Sequence, residues 1–125
     1  MATIRTSCEV QALTVLGLGE RVRPRQKPAA DGRPAHTTGT VLMVSGVDPA
    51  TGEVFERSER MSSVHVIEAP AAGVYEAGER YTGEGFADWT PYLPDGARRI
   101  TYSVVVERLV PATRPVARRR SEPSG

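Results

Sequence analysis

Glycine and proline interrupt this chain so often that a helix of ordinary length has little room to form. Twelve glycines and ten prolines are spread over 125 residues, and in a helix interior each costs roughly 1 kcal/mol (glycine) or 3 kcal/mol (proline) relative to alanine. The runs between them are rich in β-branched and aliphatic residues, which suit a pleated, half-buried surface. A chain of this length fits one domain around one core. Its hydrophobic share of 39% and charged share of 25% are those of a globular protein.

Five strand-like segments emerge. Glu9 to Val22 predicts a long first strand, buried on both sides in its middle and bent at Gly17 and Gly19. Thr37 to Val47 predicts a second, closing on the turn residues Asp48, Pro49 and Gly52. A third runs from Val54 to Arg57 and resumes at Met61 to Glu68, with Val64 and Val66 on one face and His65 and Ile67 on the other. Arg80 to Phe86 predicts a fourth, weakened by Gly83 and Gly85. Arg99 to Leu109 is the clearest strand, with Ile100, Tyr102, Val104 and Val106 on one face.

Two stretches read as loops: RPRQKPAADGRP, whose cations should project freely, and ADWTPYLPDG. Residues 111–125, with Pro111, Pro115 and an Arg-rich end, carry too little apolar surface to offset ordering entropy and predict a disordered tail. Five strands are few for a sandwich, and glycine-broken strands supply the bends of a small barrel. The expected fold is therefore all-β, a five-stranded, partly open OB-like barrel over residues 1–110 with the tail behind it.

No run approaches the roughly 18 apolar residues of a membrane span, and Met1 to Val10 lacks the apolar stretch of a signal peptide. Cys8 has no second cysteine for a disulfide or a zinc site. A cytoplasmic protein without membrane contact is expected. His36 and His65 have no suitably spaced Cys, Asp or Glu beside them, and neither a G-x-S-x-G elbow nor a P-loop is present. No set of residues reads as catalytic, and no cofactor is implied.

The net charge of +1 conceals an uneven distribution. Arg21, Arg23, Arg25, Lys27 and Arg33 outweigh Asp31 in one block, and Arg114, Arg118, Arg119 and Arg120 outweigh Glu122 in another, on an otherwise acidic body. Such asymmetry points to an anionic partner. Arg21, Arg23, Arg25 and Lys27 recur at every second position, so an extended backbone would present them as one cationic row. Arg98 and Arg99 add charge at the start of the last strand. Tyr81, Phe86, Trp89 and Tyr92 fall within twelve residues. Large rings dominate small cores, and Phe86 and Tyr102 read as core; Tyr81, Trp89 and Tyr92 are the candidates for stacking.

A positive groove that tracks phosphates, joined to aromatic faces on which bases stack, is the chemistry of single-stranded nucleic-acid binding. The competing expectation is an interaction adaptor using a sheet edge or the Trp89 to Tyr92 loop. Homodimers are common among small barrels, so a second copy is also a candidate partner.

The order of features resembles that of a known group: a strand into RPRQKPAADGRP, then TTGTVLM, DPATGE, VHVIEAP, GVYEAGERY and PYLPDGARRITYSVVVERL. Asp31-Gly32-Arg33-Pro34 approximates a D-x-x-G-x-P connection, and Gly78 precedes a strand as in a G-x-x-V element. Over residues 9–110 the chain resembles actinobacterial mobile-element proteins described as plasmid replication, integration and excision activators. More remotely it resembles OB-fold single-stranded DNA-binding proteins of filamentous phage and plasmids. The resemblance implies DNA binding in control of a mobile element's replication or transfer, with no cofactor.

Overall fold

The fold comes from a computed structural model that describes residues 2–93 and 95–112; the expected tail beyond Ala112 lies outside the described residues. Among the described residues there is no helix, as the glycine and proline pattern requires. Nine strands form: β1 (Ile4–Ser7), β2 (Thr14–Gly17), β3 (Arg23–Pro24), β4 (His36–Thr37), β5 (Thr40–Val47), β6 (Val54–Glu59), β7 (Ser63–Val66), β8 (Arg80–Tyr92) and β9 (Thr101–Pro111). They belong to one open mixed sheet in the order β3-β4-β7-β9-β8-β2-β5-β6, with β1 also paired to β8. All-β is correct. Five strands is not, and the sheet is not a closed barrel.

The core follows from valine. β7 and β9 run parallel with Val64 opposite Val104 and Val66 opposite Val106, and all four are at most 4% exposed. Val15 and Leu13 from the β2 region, Cys8, Leu42, Ala87, Leu109, Tyr75 and Tyr81 complete the same cluster of buried residues. Fully burying each aliphatic side chain of this size is worth about 1.5–3 kcal/mol. Val105 is buried too, so β9 is covered on both faces at its middle, as a run of consecutive valines suggests.

The expected first strand is cut short at Gly17. A side chain there would clash with the Glu76 carbonyl oxygen. The Gly17 N–H donates to Glu79 and its carbonyl accepts from Gly78, so a loop crosses where the strand would have continued. The fourth strand is longer than expected, because β8 runs on through Trp89, Pro91 and Tyr92. Proline is tolerated in it because the β1 ladder along that edge ends at Trp89. β8 is kinked at a bulge between Glu84 and Ala87, where Gly85 takes φ +85, the left-handed conformation that favours glycine.

Only Thr38 and Gly39 separate β4 from β5. β4 pairs with β7 while β5 pairs with β2, so this one segment bridges elements at distant places in the sheet order. The last strand takes in Pro111, and the Ala112 N–H donates to Arg80, which carries ordered pairing past the expected boundary at residue 110.

Candidate nucleic-acid interface

The proline-rich arm after β3 does not project freely. Its backbone folds on itself: Arg25 N–H donates to Ala35, Ala29 N–H to Arg33 and Gly32 N–H to Ala29. Asp31 accepts from the Arg33 backbone at 3.1 Å and from its guanidinium at 2.9 Å. Small residues let this compact arm sit down on the sheet, with Ala29 and Ala35 only 5% and 1% exposed against Val105 and Ile67. Arg5 of β1 reaches the tip, 3.7 Å from Asp31.

Docking the arm places its cations over one face of β7, β9 and β8. There an open groove of about 640 Å³ is lined by Arg25, Lys27 and Pro28 from the arm, Ser63, Thr90 and Ser103 from the sheet, Thr3 just before β1, and Tyr92 at the end of β8. Arg25 is half-buried, and its guanidinium donates to the Ser103 hydroxyl at 3.5 Å; burial lowers its pKa from the usual arginine value. The carboxylate in the groove, Asp88, is held by Arg5 through Nε at 2.7 Å and Nη2 at 3.0 Å. With that charge compensated, the groove is cationic through Arg25 and Lys27. Tyr92 is 39% exposed, so its ring is open to a ligand. The arrangement can bind an anion, offer hydroxyls to polar edges and stack a planar group.

The other expected site residues divide. Arg21 and Arg23 are exposed; Arg23 opposes Thr37 in the β3–β4 ladder and Arg21 makes an isolated bridge to Val74, and neither lines the groove. Tyr81 was expected to stack bases, but it is 8% exposed. Its ring meets Tyr75 edge-on at 4.9 Å and its hydroxyl accepts the Glu76 N–H at 2.8 Å. It belongs to the core because it faces Val15 across the β2–β8 ladder.

Trp89 and Tyr92 lie three apart on one strand and so face opposite sides of the sheet. Trp89 donates its indole N–H to Thr6 at 2.9 Å, meets Tyr102 edge-on at 5.9 Å and lines a second groove of about 430 Å³ with Met43, Val44, Ile100 and Tyr102. Arg99 pairs with Glu59 at 3.4 Å, and Arg98 is exposed.

Two rings expected in the core are elsewhere. Tyr102 is 40% exposed, and Phe86 lies beneath the Arg5 guanidinium, 3.7 Å from the ring centre. No motif marks the groove hydroxyls of Thr3, Thr90, Ser63 and Ser103. Period-2 alternation would have paired Thr90 with Tyr92 and Ser103 had β8 been continued through Pro91.

Among the described residues no three His, Cys, Asp or Glu side chains gather as metal ligands, and no helix is long and apolar enough to cross a membrane. No family model matches the sequence, and no curated protein matches it.

Proposed function

We propose that this protein is a non-enzymatic regulatory protein that binds a single strand of nucleic acid, DNA in preference, along the groove under the arm. The carrying observation is that Arg25, Lys27 and Tyr92, far apart in sequence, line one open cavity. The cations would take phosphates and the Tyr92 ring a base, with Arg21, Arg23, Arg98 and Arg99 as outlying attraction. The resemblance to mobile-element activators supports a role in controlling replication or transfer, in the cytoplasm.

An OB-like, partly open barrel is the finer fold reading. It is supported by the bridging β4–β5 segment, the parallel β7–β9 pair and the glycine-bent β8. Folds of this kind bind oligonucleotides on loops that here would correspond to the arm and residues 95–100.

Fluorescence anisotropy with a labelled oligo-dT and a labelled duplex, at two salt concentrations, tests the reading. Saturable binding should prefer the single strand and weaken with salt. Arg25→Glu with Lys27→Glu should cut affinity at least roughly tenfold, and Tyr92→Ala should remove a stacking contribution of about 1–3 kcal/mol. Absence of binding at low salt, or binding lost only when Arg114, Arg118, Arg119 and Arg120 are replaced by serine, overturns the groove. The adaptor reading would then stand on the second groove, whose Ile100 and Tyr102 are 54% and 40% exposed; Trp89→Ala would be its sensitive variant.

A further inference from the structure

Among the described residues β6 is an outermost strand of the sheet, paired only with β5. Proline, lysine and bulges are among the features that blunt exposed edges. β6 has none: its six pairs with β5 run without a break from Val47 opposite Val54 to Leu42 opposite Glu59. The Asp48 backbone N–H donates to the Glu53 carbonyl. By the alternation of an antiparallel ladder, the N–H and C=O groups of Val54, Glu56 and Ser58 then point away from β5.

The edge reads Phe55-Glu56-Arg57-Ser58-Glu59-Arg60-Met61, and its charges are complementary to themselves in reverse. When two copies pair antiparallel with Ser58 facing Ser58 on the two-fold axis, Arg57 faces Glu59, Glu56 faces Arg60 and Phe55 faces Met61, each twice. Registers shifted by two residues do worse: one sets Arg57 against Arg57 and the other Glu59 against Glu59. Phe55 and Met61 are 41% and 51% exposed, so the apolar ends of the stretch are uncovered. Glu56 accepts from Arg80 and Glu59 from Arg99, and a carboxylate has acceptor capacity for a second guanidinium.

We infer that β6 is the interface of a symmetric homodimer, joined to β6 of a second copy in the register centred on Ser58. The dimer continues the sheet across the axis and leaves the groove under the arm on a different set of strands. It therefore stands or falls independently of nucleic-acid binding.

Sedimentation of the full chain over a range of concentrations should give a monomer–dimer equilibrium. Glu56→Arg with Glu59→Arg makes the edge uniformly basic, and Arg57→Glu with Arg60→Glu makes it uniformly acidic. Each should weaken self-association on the order of 100-fold, because every facing pair becomes like-charged, and an equimolar mixture of the two should recover a heterodimer. Ser58→Cys, a change of similar size, should form a disulfide between copies on air oxidation, since facing residues in a hydrogen-bonded pair lie within disulfide reach; Phe55→Cys should not. A wild-type chain that stays monomeric at the highest concentration, charge variants that dimerise as well as wild type, a mixture that does not associate, or Ser58→Cys that fails to cross-link overturns the proposal.

Discussion

Asp88 is the described carboxylate most deeply placed, its side chain 4% exposed, and its charge is tolerated because Arg5 donates to both oxygens. Removing one partner of such a pair leaves the other charge buried and uncompensated. Arg5→Ala should therefore lower unfolding stability by about 2 kcal/mol, read from the urea midpoint, while Arg33→Ala at the exposed arm tip should cost far less. His65 is the residue that sets a pH dependence. Burial, with the nearby Arg25 charge, pushes its pKa down to about 4, against about 6.5 in an unfolded chain. Between those values the unfolded state binds a proton that the folded state does not, so stability is full above roughly pH 6.5 and declines towards pH 4. The shift is worth about 3 kcal/mol. Unfolding of His65→Gln followed at pH 7.5, 5.5 and 4.5 should show that slope removed. Asp31 and Glu56, held below their usual carboxyl range by Arg33 and Arg80, add losses only further into acid.

At the scale of elements, the arm and β8 carry different kinds of information. The arm is fixed by two small residues, so Ala29→Glu should lift it from Val105. Single-strand affinity should then fall several-fold while the urea midpoint moves little, because the main cluster does not include the arm. β8 depends on its bulge. An alanine at Gly85 would keep φ +85 against its preference, and the Glu107 side chain would have to move aside. Gly85→Ala should destabilise the fold by about 1–3 kcal/mol, measured by chemical denaturation, and a loss under about 0.5 kcal/mol would mean the bulge relaxes.

For the whole molecule, the net charge of +1 gives little general attraction for nucleic acid, so binding must come from local fields. The logarithm of affinity should fall linearly with the logarithm of salt concentration. Arg25→Glu with Lys27→Glu should flatten that slope by about 2, one unit for each lost phosphate contact. A slope left unchanged by these substitutions would place the phosphate contacts elsewhere on the chain.

Legibility followed the range of the interactions. The valine alternation of β7 and β9 is written locally, as are the turn at Asp48 to Gly52, the absence of helix and the cationic block from Arg21 to Lys27. Each follows from what a residue and its near neighbours can do with backbone and water. Which aromatic faces a ligand was not written locally. Tyr81 and Tyr92 sit on the same strand, yet one is locked beside Tyr75 and the other opens to the groove, because Tyr81 packs into the core cluster with Val15 whereas Tyr92 lines the groove beside the arm. Likewise, period-2 geometry parts Trp89 from Tyr92 only once the strand is known to pass through Pro91. An all-β chain with buried valines and a basic block can be read from residue order alone. Tertiary structure alone decided that the arm lies down on Val105 and brings Arg25 and Lys27 to Tyr92, since that packing joins surfaces more than fifty residues apart in the chain.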